Sequence, residues 1–212
     1  MKKAIAIILL LSLSVFFAGC NKNDPAENKP SHGTVSGNTY TSDYTGLSIT
    51  IPSDLDKWTF YSDEELAEGC GIDAQSYITD FSQVLSNNKT VYDMMAISET
   101  YQMSILTGFE NLTLAGEDPD MTGKAYVEKT VDAFVSGLNT EISTYTVTDT
   151  EKVTLCGHTY YRKVLTCTTT DTSGTTTLSE AYYVRNLGGY MSITLVFFPS
   201  NVTIEQVESM FN

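Results

Sequence analysis

The sequence predicts an α+β fold: one antiparallel β-sheet with helices on both faces. Three observations lead there. Four β-like runs follow one another after residue 142, separated by short connections that contain glycine. One amphipathic helix precedes them at 122–138, and the final run, YMSITLVFF at 190–198, is apolar on both faces. A strand of that kind is central and covered on both sides, so helices must lie above and below it.

The first twenty residues stand apart from that domain. Lys2 and Lys3 precede an apolar stretch from Ala4 to Leu13, and Phe16, Phe17, Ala18 and Gly19 lead into Cys20. A charged start, a short apolar core and small residues at the end make a secretory signal over residues 1–19. Its apolar core falls short of the roughly 20 residues a membrane-spanning helix needs. The small residues running straight into Cys20 resemble the bacterial lipobox, with Phe17 where Leu is usual. That resemblance implies acylation of the Cys20 sulfur, removal of residues 1–19, and a protein lipid-anchored to the cell membrane, facing the extracellular side. Two or three acyl chains anchor durably because each buried CH₂ contributes about 0.8 kcal/mol.

Residues 21–38 are polar, contain Pro25 and Pro30 and lack apolar periodicity, which reads as a flexible tether starting from Cys20, with His32 a solvated linker residue. Thr39–Asn212 is then one domain of 174 residues, long enough to bury a core without staples. Loss of Lys2 and Lys3 leaves 10 basic against 26 acidic groups, a charge near −16. Such a surface repels phosphate backbones and anionic headgroups, which excludes nucleic acid as a partner and leaves membrane contact to the lipid.

Within the domain, Leu47, Ile49 and Ile51 alternate with Ser48 and Thr50 as a half-buried strand that stops at Pro52. DKWTFYS continues extended around Trp58. Ser62 lies three residues before Glu65, a capping box that opens a short helix ending at Gly69. Tyr77, Ile78, Phe81, Val84 and Leu85 then fall at helical spacing over Asp73–Leu85. VYDMMAIS and a weaker stretch from Gln102 to Leu106 read as strands, and 110–123 as loop. Val127, Val131, Phe134, Val135 and Leu138 form one stripe of the long helix. The β runs Ile142–Leu155, Thr159–Thr170, Thr176–Leu187 and Tyr190–Phe198 should make an antiparallel meander, closed by a capped helix after Thr203.

The order YTSDYTGLSITIP, W, FYSDEEL, then YDMMAIS, LCGHTYYRKV, EAYYVRNLGGYMSITL and TIEQVESMF resembles a group of small lipoproteins of Gram-positive gut anaerobes. The resemblance implies the PsbP-like fold of that group, an αβα sandwich, and carries no activity onto named residues.

Candidate chemistry is sparse. His158, the domain's histidine, sits after Gly157 in a turn, where solvent explains it better than general-base work. Cys70, Cys156 and Cys167 lack metal-ligand spacing; Cys156 and Cys167 fall on neighbouring strands out of register, so three unpaired, buried thiols are expected. Glu117, Asp118 and Asp120 crowd one loop and could hold Ca²⁺, but Pro119 interrupts them and no EF-hand spacing is present. No cofactor is implied. The doublets Tyr160-Tyr161 and Tyr182-Tyr183 lie on neighbouring strands, and with Arg162 and Arg185 they could line a groove for a ligand or peptide where helical cover is incomplete. Three readings follow: a non-catalytic binding or envelope-accessory lipoprotein, a small-ligand receptor using that groove, and, behind both, an enzyme built on a cysteine or clustered acids.

Overall fold

The structure, a computed structural model, describes residues 30–51, 57–138, 143–171 and 174–212. The signal segment 1–19, Cys20 and the tether up to residue 29 lie outside the described residues.

The domain is mixed α and β, built on antiparallel pairing. Its strands are β1 (Thr34–Ser36), β2 (Thr39–Ser42), β3 (Leu47–Thr50), β4 (Thr59–Phe60), β5 (Thr90–Ser98), β6 (Met103–Asn111), β7 (Ser143–Val147), β8 (Glu151–Leu155), β9 (His158–Asp171), β10 (Gly174–Asn186) and β11 (Tyr190–Pro199). Its helices are α1 (Asp63–Gly69), α2 (Ala74–Thr79), α3 (Phe81–Asn87), α4 (Leu112–Ala115), α5 (Gly123–Ser136) and α6 (Ile204–Glu208).

Where one sheet was expected, the described residues form two. An eight-stranded sheet runs β4-β5-β6-β11-β10-β9-β7, with β8 also on β9, and β1-β2-β3 form a separate three-stranded sheet. The small sheet does not extend the large one because β3's free edge is taken by the chain end: Thr50 donates to the Met210 carbonyl at 2.7 Å and Asn212 to that of Ser48 at 3.0 Å. The meander over β9, β10 and β11 is as the sequence predicts, and β11 lies between β10 and β6 with eight of its ten residues buried. The run 142–155 is divided into β7 and β8, which pair with successive parts of β9 on one side.

Neighbouring residues of a strand point to opposite faces, and that alternation divides the core. Ala181 and Tyr183 of β10 join the layer under the small sheet and α6, with Tyr40, Ile49, Val196, Phe198 and Val207. Tyr182 and Val184 join the other layer, where α5 seats Tyr126, Val127 and Val131. Thr122 caps α5 by accepting from the Ala125 amide at 3.2 Å, and burying Val127 and Val131 stabilises its seat by about 1.5–3 kcal/mol each. Helices therefore occur on both faces of the large sheet.

Three further expectations are corrected. Asp73–Leu85 is two helices: Asp80 leaves helical geometry at φ −144° and its side chain caps α3 through the Gln83 amide. The first part of 110–123 is ordered, since β6 runs to Asn111 and α4 follows. The folded body also starts before Thr39, because β1 forms a hairpin with β2 and residues 32 and 33 dock on the domain. A polar composition hid this segment: all three β1 side chains are exposed, and its attachment runs through backbone bonds and one imidazole.

Candidate functional site

A cluster of polar groups drawn from several elements is centred on Asp93. Tyr92 pairs with Gly108 and Met94 with Thr107, leaving Asp93 as the extra residue of a β-bulge in β5. Gly108 permits this close approach, because a Cβ there would lie 2.7 Å from the Val91 carbonyl oxygen. The bulge lets Asp93 and Met94 both turn inward, and Asp93 is only 2% exposed.

Three groups from two segments face that carboxylate. The Gly33 amide donates to Oδ1 at 2.9 Å and the Tyr40 hydroxyl of β2 donates to Oδ2. His32 brings Nε2 to 3.6 Å from Asp93 Oδ1, 3.4 Å from Asp63 Oδ1 of α1 and 3.1 Å from the Tyr77 hydroxyl of α2. Tyr77 donates its own proton to the Tyr92 carbonyl at 2.6 Å, so Nε2 must be the donor toward Tyr77 and carries a proton. Edge-on contacts with Tyr77 and Phe81, centroids 5.0 and 5.3 Å away, fix the ring plane. Burial raises the Asp93 carboxyl above its ordinary range, against the pull of His32, Tyr40 and the Gly33 amide. His32 is thus a docked residue and not a solvated one. The reason is the bulge: it sets a carboxylate inside the fold, and the amide, phenol and imidazole that face it come from the preceding chain.

Two other carboxyls lie in the opposite layer. Glu110 accepts from the Tyr126 hydroxyl and faces Lys89 at 3.8 Å; burial raises it while both neighbours oppose the rise. Glu180 sits between Leu165 and Phe197 of the flanking strands. Burial pushes it up to about 8 against the Tyr182 hydroxyl, and its Oε1 has no hydrogen-bond partner among the described residues.

The six residues expected to line a groove do not share a face. Tyr160, Tyr182 and Tyr183 are buried, with Tyr160 and Tyr183 in one layer and Tyr161 and Tyr182 in the other. Arg162 pairs with Glu151 and, at 2.5 Å, with Glu208, which also accepts from the Tyr183 hydroxyl at 3.4 Å. Arg185 donates to the Thr45 carbonyl at 3.1 Å and lies over the Tyr160 ring. Strand alternation places these side chains in packed layers, so the expected groove is replaced by core and ion pairs.

The remaining candidates are structural too. Glu117 pairs with Lys129, and Asp118 accepts from the Asp120 amide at 2.9 Å. Among the described residues no group of three or more His, Cys, Asp or Glu is arranged to hold a metal ion. His158 rests on Gly46, where an added Cβ would come within 2.3 Å of Nε2. Cys70, Cys156 and Cys167 are free thiols and half-buried. Cys156 lies in the β8–β9 turn at φ 49°, not on a strand, and its Sγ meets Ser48, accepting from the amide at 3.2 Å. Cys70 Sγ accepts from the Tyr92 amide at 3.2 Å, and burial pushes its thiol up to about 11. A surface cleft of about 530 Å³ opens beside α2 and α3, but Asp73 and Asp80 on its wall are already spent as helix caps.

Sequence reasoning missed Asp93 and His32. One signal was present, an acidic residue inside the strand-like run VYDMMAIS, where an alternating strand has no solvent-facing reason for it. For His32 no local signal exists, because its partners are 31 to 61 residues away. Compared with known proteins, the chain matches no family model and no curated protein.

Proposed function

We propose that this chain is a lipid-anchored protein of the outer face of the cell membrane whose domain works by binding or as an envelope accessory, without turnover. The observation that carries the anchor is the run of small residues Ala18 and Gly19 into Cys20 behind a charged and apolar leader. The structure supports a folded body close behind that cysteine, since docking begins at His32 and Gly33. None of the helices among the described residues is long and apolar enough to cross a membrane.

The non-catalytic reading rests on how the reactive groups are employed. The imidazole of the buried cluster, His32, is packed edge-on against Tyr77 and Phe81 with Nε2–H turned to Tyr77, Asp63 and Asp93, so it is used to hold the fold together. The two arginines and the thiol of Cys156 are likewise engaged with the fold itself. An architecture of the PsbP-like kind, an αβα sandwich as in small surface lipoproteins of Gram-positive gut anaerobes, belongs to the same proposal. It is consistent with the antiparallel sheet and its helices on both faces.

Cys20→Ser tests the anchor. In a bacterial host, wild-type protein should sediment with membranes and incorporate labelled palmitate, while the variant should do neither. Membrane retention of the variant through its uncut leader can be told apart by mass, and a cleaved variant that stays bound would defeat the proposal.

A further inference from the structure

A sheet edge presents a row of backbone donors and acceptors, and a fold closes or blunts such rows to prevent unwanted pairing. Most edges of this domain are managed in that way. The chain end covers β3. Cys70 Sγ takes the Tyr92 amide of β5, and the Tyr77 hydroxyl donates to the Tyr92 carbonyl. β4 is two residues long, and β8 opens with the charged Glu151 and Lys152. β1 and the end of β10 at 174–177 are open but shorter than β7. β7 itself reads STYTV, pairs with β9 alone in unbroken register, and exposes Thr144, Thr146 and Val147. Among the described residues it is the longest open edge without a charge, a proline or a bulge.

The direction of its peptide groups follows from one bond. The Thr148 amide donates to the Val164 carbonyl of β9 at 2.9 Å. Alternation along an antiparallel strand then turns the peptide groups of Thr144 and Thr146 toward β9, and those of Ser143, Tyr145 and Val147 outward. These three have no backbone partner among the described residues. The side chains alternate as well. Tyr145 leans on the layer under α5, while Thr144 and Thr146 stand on the other face, opposite Thr168 and Thr166. There the hydroxyls already meet across β9 and β10: Thr166 with Ser179 at 2.8 Å and Thr168 with Thr177 at 2.9 Å. Those rows of hydroxyls continue to the open edge.

We propose that β7 joins two copies of this chain, antiparallel, with the twofold axis at Tyr145. In that register Tyr145 faces Tyr145 of the second copy and Ser143 faces its Val147. All are outward-facing residues, so each pair exchanges two backbone bonds, about six in all. Thr144 faces Thr146 of the second copy at the closer, non-bonded spacing, the setting in which the hydroxyls of β9 and β10 meet. An axis at Thr144 or Thr146 also aligns outward groups but leaves part of the strand unpaired. The Tyr145 axis uses all of it. An arbitrary extended segment would match the backbone alone, whereas β7 is its own complement in side chains too. The formal charge of −14 on each chain opposes association elsewhere on the surface. Pairing is therefore confined to this uncharged strand, is weak, and tightens with salt. It stands on the strand geometry whether or not Cys20 is acylated.

Full-length protein in detergent micelles, with micelles in large excess over protein, tests the register. Protein carrying Thr144→Cys is mixed with protein carrying Thr146→Cys and mildly oxidised. A disulfide needs Cα atoms about 4.4–6.8 Å apart, which facing residues satisfy and residues offset by two positions do not. The mixture should therefore cross-link about tenfold more than either variant alone or the wild type with its native thiols. Sedimentation equilibrium of the same preparations measures the association. Thr144→Glu with Thr146→Glu sets acids opposite acids and should weaken it about tenfold, while Thr144→Lys with Thr146→Glu sets opposite charges together and should restore it to within about threefold. Raising NaCl from about 0.05 to 0.5 M should tighten the wild-type pair. A wild type that stays monomeric, equal cross-linking by Thr144→Cys alone, a like-charge variant that pairs as tightly as the wild type, or loosening by salt would overturn the proposal.

Discussion

Asp93 and Glu180 pose one physical problem in two regions of the same sheet. Both are carboxyls enclosed by the fold, and burial raises both above their ordinary range. Asp93 sits on a bulge and collects an amide, a phenol and an imidazole from the N-terminal segment and β2. Glu180 sits in regular pairing between Leu165 and Phe197, in the layer under α5, with Tyr182 beside it and an unanswered Oε1 among the described residues. The difference teaches how a fold uses a buried charge. Supplied with donors from separate elements, it ties those elements together; without them it keeps its proton and costs stability as pH rises.

The largest expected effect comes from breaking the supplied site. Asp93→Ala strands the Gly33 amide and Tyr40 hydroxyl and should destabilise the domain by about 3–5 kcal/mol at pH 7, read from urea unfolding. A loss below about 1 kcal/mol would show that the donors are dispensable and erase the contrast.

Glu180→Gln sharpens the comparison from the other side. The folded value of about 8 lies above the unfolded one near 4.3, so the carboxyl's contribution is full below about pH 4 and declines as pH climbs through 8. The amide cannot ionise, so the stability gap in its favour should widen by about 2–4 kcal/mol between pH 5 and pH 8. A gap independent of pH would mean that Glu180 is solvated or paired.

The smallest effect is expected at the rim of the Asp93 site. Asp63 is 44% exposed, and its attraction to His32 is screened by water. Asp63→Asn should therefore change stability by less than about 0.5 kcal/mol in urea unfolding. A loss as large as that of Asp93→Ala would relocate the centre of the cluster to α1.

Much of the frame was legible because it rests on neighbouring residues. The capping box of Ser62 and Glu65, the α5 stripe from Val127 to Val135, the β9–β11 part of the meander and the doubly buried β11 appear as read, while Leu138 falls beyond the end of α5 and the run 142–155 is split. The break at Asp80 was less legible, because apolar spacing alone runs straight through a residue whose side chain caps the next helix. The candidate site was hardly legible at all. The tyrosine and arginine pattern suggested a groove, and packing turned it into core and ion pairs. The polar stretch around His32 suggested a tether, and a distant bulge turned it into a docked segment.

The sequence by itself determined the elements and their facing, since period and capping act over a few residues and need no partner. It also carries the leader and Cys20, whose chemistry is local. Only the tertiary structure decided which buried carboxyl acquired donors, because desolvation is set where strands and helices meet and not along the chain. His32 has meaning only at the point where Asp63, Tyr77 and Asp93 converge, and no spacing in the sequence encodes that convergence.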